Sequence, residues 1–317
     1  MNIGILGAGS IAGSVSRTLE QMPEITCYAV ASRDLSKARK FADDHGYAKA
    51  YGSYEEMLSD GNVELVYIAT PHSHHFEHMK LCIEHRKPVL CEKAFCENGA
   101  QAREIARLAN EAGFYVSEAI WPRYMPSRAL INDTLASGII GKVFTMTANL
   151  SYPISHVERI IRPELAGGAL LDIGVYGINF MLMHFGDDIE RIESSVRFAE
   201  TGVDADESIT VFYRDGRMAV LTHSIYPRSD RKGIFHGDKG YMVVENINNP
   251  SEINVYDTAD RLIKHIDVPA QISGYEYEFL ESIECIKKGM KESRSMPLAE
   301  SVKMMELMDR VRECWKR

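Results

Sequence analysis

The chain opens on Asn2-Ile3-Gly4-Ile5-Leu6-Gly7-Ala8-Gly9-Ser10-Ile11-Ala12. A short apolar run enters a GxGxxA turn, and an amphipathic stretch over 11–22 follows at helical spacing. Each small residue of the turn has its own task. Gly7 permits the tight turn, Gly9 lets the backbone approach a pyrophosphate, and Ala12 lets helix and strand pack closely. Ser10 and Ile11 begin a helix whose first N–H groups lack partners inside it and can face an anion. The stretch therefore predicts a dinucleotide-binding βαβ unit, with Gly7, Gly9, Ser10 and Ile11 against the cofactor.

Working outward, apolar runs at 26–31, 65–69, 89–90 and 115–116 alternate with helical patterns at 35–42, 75–85 and 98–112. Strands separated by helices of this length predict a parallel sheet. The pattern changes near Ala119, where Trp121-Pro122-Arg123-Tyr124-Met125-Pro126 punctuates the chain with two prolines. A helix over 127–137 comes next. Alternating runs at 143–150, 190–199, 207–213, 217–225 and 253–256 then predict a mostly antiparallel sheet. Two helical stretches follow, at 275–288 and 299–314. The expected fold is α/β, with two domains for 317 residues. An N-terminal Rossmann dinucleotide-binding domain occupies 1–120. A C-terminal α/β domain with a mainly antiparallel open sheet occupies 121–317 and serves substrate binding and oligomerisation.

Composition removes other classes. Lys and Arg number 36 against 45 Asp and Glu, a net charge of −9, and an acidic chain repels a phosphate backbone, so no nucleic-acid partner is expected. Six cysteines are scattered with no CxxC pair, which predicts reduced thiols, a cytoplasmic protein and no zinc site. No apolar run approaches the length of a membrane span and no basic segment precedes the first strand, so neither a membrane partner nor a signal peptide is expected.

The second strand ends in Ser32-Arg33-Asp34. Enzymes using NAD place an acid near this point for the ribose 2′-hydroxyl. A hydroxyl and a guanidinium suit a 2′-phosphate instead, so Ser32 and Arg33 point to NADP ahead of NAD. The alternative leaves Arg33 as a solvated charge and gives the ribose to Asp34. Beyond the fifth strand, Glu92-Lys93-Ala94 lies where ligands of open α/β sheets bind. Further on, Ala166-Gly167-Gly168-Ala169-Leu170-Leu171-Asp172-Ile173-Gly174-Val175-Tyr176 sets Asp172 and Tyr176 four residues apart, on one helix face. Glycine at 174 weakens the helix and predicts close approach of a ligand there.

These three motifs, in this order, resemble the Gfo/Idh/MocA oxidoreductases over nearly the whole length, and within them the dimeric dihydrodiol dehydrogenase branch. Glu118-Ala119-Ile120-Trp121-Pro122-Arg123 and the Tyr at 176 carry the closer match. Ala94 stands where the family has proline, and Ala166 where it has the first glycine of the second motif. The resemblance implies NADP, and it places Thr70, Pro71, His75, Glu92 and Lys93 against the cofactor. It also implies that Trp121 walls the substrate pocket and that Arg123 reaches cofactor or substrate; the alternative is a hinge with an aromatic plug and a surface Arg. His74 and His78, at i and i+4, form a metal pair only with a third ligand, which the sequence does not offer, so no metal is expected.

The expected chemistry is hydride transfer between NADP(H) and a small polyhydroxylated substrate such as a sugar, polyol or trans-dihydrodiol. Lys93, Asp172 and Tyr176 are the candidate catalytic groups. Tyr176 serves as general acid/base with Lys93 lowering its pKa and Asp172 orienting, or Lys93 itself takes the proton. The rival class is a non-catalytic sugar or nucleotide sensor, which would be expected to lose one of these groups. Apolar alternation at Thr210-Val211-Phe212-Tyr213 and Ala219-Val220-Leu221 predicts a bare sheet face and a homodimer or dimer of dimers through it.

Overall fold

A computed structural model describes residues Met1–Lys316. The chain begins with β1 (Asn2–Leu6), α1 (Ser10–Leu19), β2 (Thr26–Ala31), α2 (Leu35–His45), β3 (Lys49–Tyr51) and α3 (Tyr54–Leu58). It continues with β4 (Leu65–Ile68), α4 (His72–Glu84), β5 (Val89–Glu92), α5 (Gly99–Ala112) and β6 (Val116–Ala119). The six strands form one sheet in the order β3-β2-β1-β4-β5-β6, all neighbours parallel. The chain reverses direction across the sheet at β1, which opens a crevice at the carboxyl ends of β1 and β4. β4 and β5 are buried at every residue, because helices cover both faces of a parallel sheet and no polar alternation is needed. The short β3 and α3 carry too few residues to show a period and were not expected from the sequence.

Next come α6 (Pro126–Ala136), β7 (Val143–Ser151), α7 (Glu158–Ile161), a π-helical turn (Leu170–Gly174) and α8 (Val175–Phe185). After them run β8 (Ile189–Phe198), β9 (Asp204–Tyr213), β10 (Met218–Ser224), β11 (Gly233–Gly237), β12 (Gly240–Val244), β13 (Glu252–Asp257) and β14 (Leu262–Asp267). The chain then enters α9 (Glu276–Lys287) and α10 (Leu298–Cys314). The second sheet has the order β14-β13-β12-β11-β7-β10-β9-β8. Only β7 and β10 pair in parallel, so the expected mainly antiparallel sheet is present. β11, β12 and β14 add to the strands read from the sequence. β14 is exposed almost throughout and β12 holds three consecutive buried residues, so neither alternates clearly.

The chain divides into two compact units whose first break falls within one residue of the expected one, while the segment 271–305 returns to the first unit. Unit one is Met1–Trp121 with Gln271–Met305; unit two is Pro122–Ala270 with the chain from Glu306 on. The return of 271–305 has a packing cause. Phe279 of α9 is fully buried in the core with Ile3, Ile5, Val15, Leu19 and Tyr67, its ring 5.3 Å from that of Tyr67. Hydroxyl contacts fasten the same segment, Thr18 to Ser273 at 2.8 Å and Tyr115 to Ser282 at 3.0 Å.

In unit two, α8 packs on β7 and β10. Ala205, Glu207, Ile209, Val211 and Tyr213 form the buried row of β9, and Ala219, Leu221 and His223 that of β10. Of the stretches read as marking a bare face, Val211, Tyr213, Ala219 and Leu221 therefore belong to the covered row. The other row of these strands holds Ser208, Thr210, Phe212, Val220 and Thr222, with the Arg191 guanidinium 3.5 Å over the Phe212 ring. One expectation about apolar runs is also corrected. Pro163–Phe185 spans 23 residues with a mean hydropathy of 1.5, long and apolar enough to cross a bilayer, but it is 83% buried inside the protein. Its apolarity is that of a core helix, since α8 meets protein nearly all round.

The chain enters this helical stretch through Ala166, at φ 53° and almost fully buried. A residue with a Cβ is strained by about 1–2 kcal/mol in the left-handed region, which is why glycine suits this position. Ala166→Gly should stabilise the protein by about 1 kcal/mol, after the extra unfolded-state entropy of glycine is counted. Thermal unfolding should show a rise of about 2–4 °C; an unchanged or lower midpoint would mean that the strain is absent.

Candidate active site

In unit one the glycine turn is built as a cradle. Gly7 has φ 100°, and a Cβ there would stand 3.0 Å from the Ala69 carbonyl oxygen and 3.1 Å from Cγ2 of Thr70. Gly9 is the extended N-cap residue of α1 and provides no side-chain cap. A Cβ on Gly9 would meet nothing within 4 Å. An uncapped helix start beneath open space suits a pyrophosphate, because N–H groups and helix dipole favour an anion there. The residues present thus fit a dinucleotide. Ala12 is fully buried, as close packing of α1 requires.

At the end of β2 the structure gives Asp34 a local task. The Asp34 carboxylate caps α2, accepting N–H groups of Ser36 at 2.9 Å and Lys37 at 3.3 Å and the Ser36 hydroxyl at 2.6 Å. These bonds, that of the Ser36 side chain foremost, hold its carboxyl below the usual range. Asp34 is committed to helix capping. Ser32 is nearly buried and its hydroxyl accepts the Asp34 N–H at 3.3 Å. Arg33 is exposed, and its charge reaches Tyr54, His74 and His78. This cation therefore belongs to the sheet end where β2 and β4 finish.

The β4 exit is braced from behind. Thr70 Oγ1 and His78 Nδ1 are 2.9 Å apart. Pro71 is the residue before α4. His75 is fully buried, with Nδ1 2.8 Å from the Ala94 carbonyl and Nε2 2.8 Å from the Thr70 carbonyl. Burial pushes its pKa down to about 4, so at neutral pH the ring has a single N–H to donate to one of these carbonyls. His75 thus lies between the loops carrying Thr70 and Lys93 and donates to one of their carbonyls. Glu92 is similarly inward: it accepts the Tyr67 hydroxyl, and its Oε2 accepts the Lys93 N–H at 3.1 Å. Lys93 is partly exposed. The Lys93–Ala94 peptide is cis without the family proline. Trp121 is almost buried and stacks on Tyr275, ring centroids 4.4 Å apart at 17°. His74 Nδ1 meets the Ser73 hydroxyl at 2.8 Å, and no cluster of three metal-binding side chains occurs among the described residues.

In unit two, Asp172 lies in the π-helical turn and Tyr176 one residue into α8. The Asp172 carboxylate accepts from Nη1 of Arg159 at 2.8 Å; Asp172 is buried and Arg159 is half exposed. Most of α8 is fully buried, but Tyr176 is not. The i, i+4 spacing read from the sequence therefore carries one buried, ion-paired carboxylate and one partly accessible phenol. Arg123 is not a surface residue: it is 3% exposed and donates from Nε to Oδ1 of Asn179 in α8 at 2.6 Å.

Gly174 corrects another expectation. What comes close to it is a buried pair from the sheet, not a ligand. A Cβ on Gly174 would overlap Oε1 of Glu207 and lie 3.3 Å from Nδ1 of His223; one on Gly177 would overlap Nε2 of His223 and lie 2.8 Å from its Cε1. Nδ1 of His223 and Oε1 of Glu207 are 2.8 Å apart, both side chains fully buried. A third sheet residue, Asp204, accepts the Leu170 N–H at 2.6 Å where the π-turn begins. Arg159, Asp204, Glu207 and His223 escaped the sequence reading. The Gly174/Gly177 pair was the one signal that something bulky lies beneath the helix.

Comparison with known proteins agrees with this geometry. Residues 1–119 match the model of the oxidoreductase family with an NAD-binding Rossmann fold, and residues 129–243 match the GFO/IDH/MocA C-terminal domain. The chain is 35% identical over 323 residues to trans-1,2-dihydrobenzene-1,2-diol dehydrogenase of Mus musculus, covering 98% of this chain and 95% of that one. It is 36% identical over 321 residues to the Homo sapiens protein of the same name, with the same coverage. A 3-ketoreductase from Actinomadura kijaniata, solved with NADP and TDP-benzene, superposes with a TM-score of 0.92 at 23% identity, covering 99% of this chain and 98% of that one. Levoglucosan dehydrogenase, solved with NADH and levoglucosan, gives 0.87 at 17% identity, covering 99% and 96%. By its matched domains and its full-length relatives, the chain belongs to the Gfo/Idh/MocA oxidoreductase family.

Proposed function

We propose that this oxidoreductase is an NADP-dependent dehydrogenase/reductase acting on CH–OH groups of a small sugar, polyol or trans-dihydrodiol. One observation carries the cofactor reading: the uncapped, open N-terminus of α1 accompanies Arg33 at the end of β2 while Asp34 is committed to the cap of α2. Gly7, Gly9, Ser10 and Ile11 would hold the pyrophosphate, and Ser32 with Arg33 the 2′-phosphate. Thr70 and Pro71 border the same sheet end. The relatives named for a dihydrodiol and the neighbours solved with NADP or with a sugar support the substrate class.

Bound NADP(H) supplies the hydride acceptor or donor. Tyr176 takes the hydroxyl proton during oxidation and returns it during reduction. A phenol needs a nearby cation to do this at neutral pH, because its ordinary pKa is about 10. Lys93 is assigned the part of that cation, with its backbone N–H tied to Glu92. Asp172, paired with Arg159, orients the substrate. Trp121 acts from its stack on Tyr275, and Arg123 from its bond to Asn179. We further propose a homodimer through the row of the eight-stranded sheet that carries Phe212 and Val220. A cytoplasmic location accords with six free cysteines among the described residues. The net charge of −9 disfavours a nucleic-acid partner.

Arg33→Ala should raise the NADP KM well over tenfold, since a charge-assisted contact is worth about 1.5–3 kcal/mol, and leave the NAD KM nearly unchanged. Equal losses for both cofactors would show that Arg33 does not read the 2′-phosphate. Tyr176→Phe should lower kcat by about 10²–10⁴ with NADPH binding intact, and Lys93→Met should be at least as damaging. If Tyr176→Phe retains more than about a tenth of the activity, the proton role passes to Lys93. Light scattering at micromolar concentration should give the dimer mass; a monomer would remove the interface.

A further inference from the structure

The pair beneath the helix has features that ordinary core packing does not need. Glu207 and His223 sit directly opposite each other on β9 and β10. Oε2 of Glu207 and Nε2 of His223 have no hydrogen-bond partner among the described residues. Leaving such buried atoms unpaired costs about 1–3 kcal/mol each, and well-packed apolar residues would serve stability as well or better. Burial drives the Glu207 carboxyl upward, against the hydrogen bond and charge of His223 and with Asp204 adding to the rise. The helix above gives up two side chains, at 174 and 177, to admit this couple. Those two positions bracket Tyr176 and follow Asp172, and the backbone leading into them, Leu170–Gly174, is drawn into a π-turn. Wide turns of this kind recur at functional sites.

We propose that Glu207 and His223 are a positioning pair for catalysis. The couple sets the height and rotation of the helical segment that carries Asp172 and Tyr176, and neither residue touches substrate. Asp204 secures the same segment at the Leu170 N–H. The proposal rests on the catalytic reading of that segment given above. Its physical content is that polar groups in fixed orientation hold a helix at one rotation, whereas an apolar layer lets it slide and turn among nearby packings. A displacement of about 1 Å at a catalytic group can cost about 10²-fold in rate.

The test uses the full-length protein with NADP and either trans-1,2-dihydrobenzene-1,2-diol or levoglucosan, and follows hydrogen exchange of the amides over 170–178 without any substrate. Glu207→Gln keeps the shape of the pair. Glu207→Met/His223→Leu replaces it with apolar volume that should still fold. Both should lower kcat about tenfold or more, keep the NADPH dissociation constant within about twofold, and speed exchange over 170–178 but not over 1–20. In a Tyr176→Phe background, Glu207→Gln should add little further loss, because the two act through one group. Unchanged kcat together with unchanged exchange in both pair variants would overturn the proposal. If Tyr176→Phe keeps full activity while the pair variants lose it and exchange faster, the acid/base reading of Tyr176 fails and positioning, exerted through Asp172, stands.

Discussion

A Cβ on Gly7 would stand 3.0 Å from a carbonyl oxygen of the neighbouring strand end, and one on Gly177 would overlap the ring of His223. The same steric constraint, backbone brought to within side-chain distance of its neighbour, governs the working segment of each unit. In unit one it lets the first helix start at the edge of the sheet with its N–H groups uncapped. In unit two it lowers the helix that carries Asp172 and Tyr176 onto a buried acid–imidazole pair. Glycine serves at both places for different reasons: positive φ and close contact at Gly7, and space alone at Gly174 and Gly177.

The polar interior serves these segments. His75 lies between two loop carbonyls and donates to one, Glu92 gathers the Tyr67 hydroxyl and the Lys93 N–H, Arg123 is tied to Asn179, and Asp204 holds the Leu170 N–H. These bonds fix the loops and helix starts where the candidate site residues lie. Groups of this kind must be satisfied once buried, so they define loop conformation more sharply than apolar contact would. Arg33 is exposed, and Lys93 and Tyr176 are partly exposed.

Much of the site is legible along the chain because its parts are contiguous. The glycine turn, the strand-end Ser32-Arg33 and the Asp172/Tyr176 spacing each lie within a dozen residues, and local geometry converts spacing into position. Roles were harder to read. His75 and Glu92 look the same in sequence whether they meet a cofactor or a carbonyl, and Arg123 looks the same whether it is exposed or buried. Asp34 shows the opposite case: once α2 begins at Leu35, an aspartate just before it is a natural cap, and the structure shows it capping.

By itself the sequence determined the alternation of strands and helices in the first third, the glycine cradle, the mainly antiparallel second sheet and the family to which these belong. Only the tertiary structure decided that α9 returns to the first core, that Asp172 pairs with Arg159, and that Glu207 and His223 lie beneath Gly174 and Gly177. The physical reason is register. Glu207 and His223 face each other because β9 and β10 pair at one alignment, and a slip of a single residue would turn both to the opposite face of the sheet. That alignment is set by the whole hydrophobic pattern and its packing, which no local stretch of residues contains.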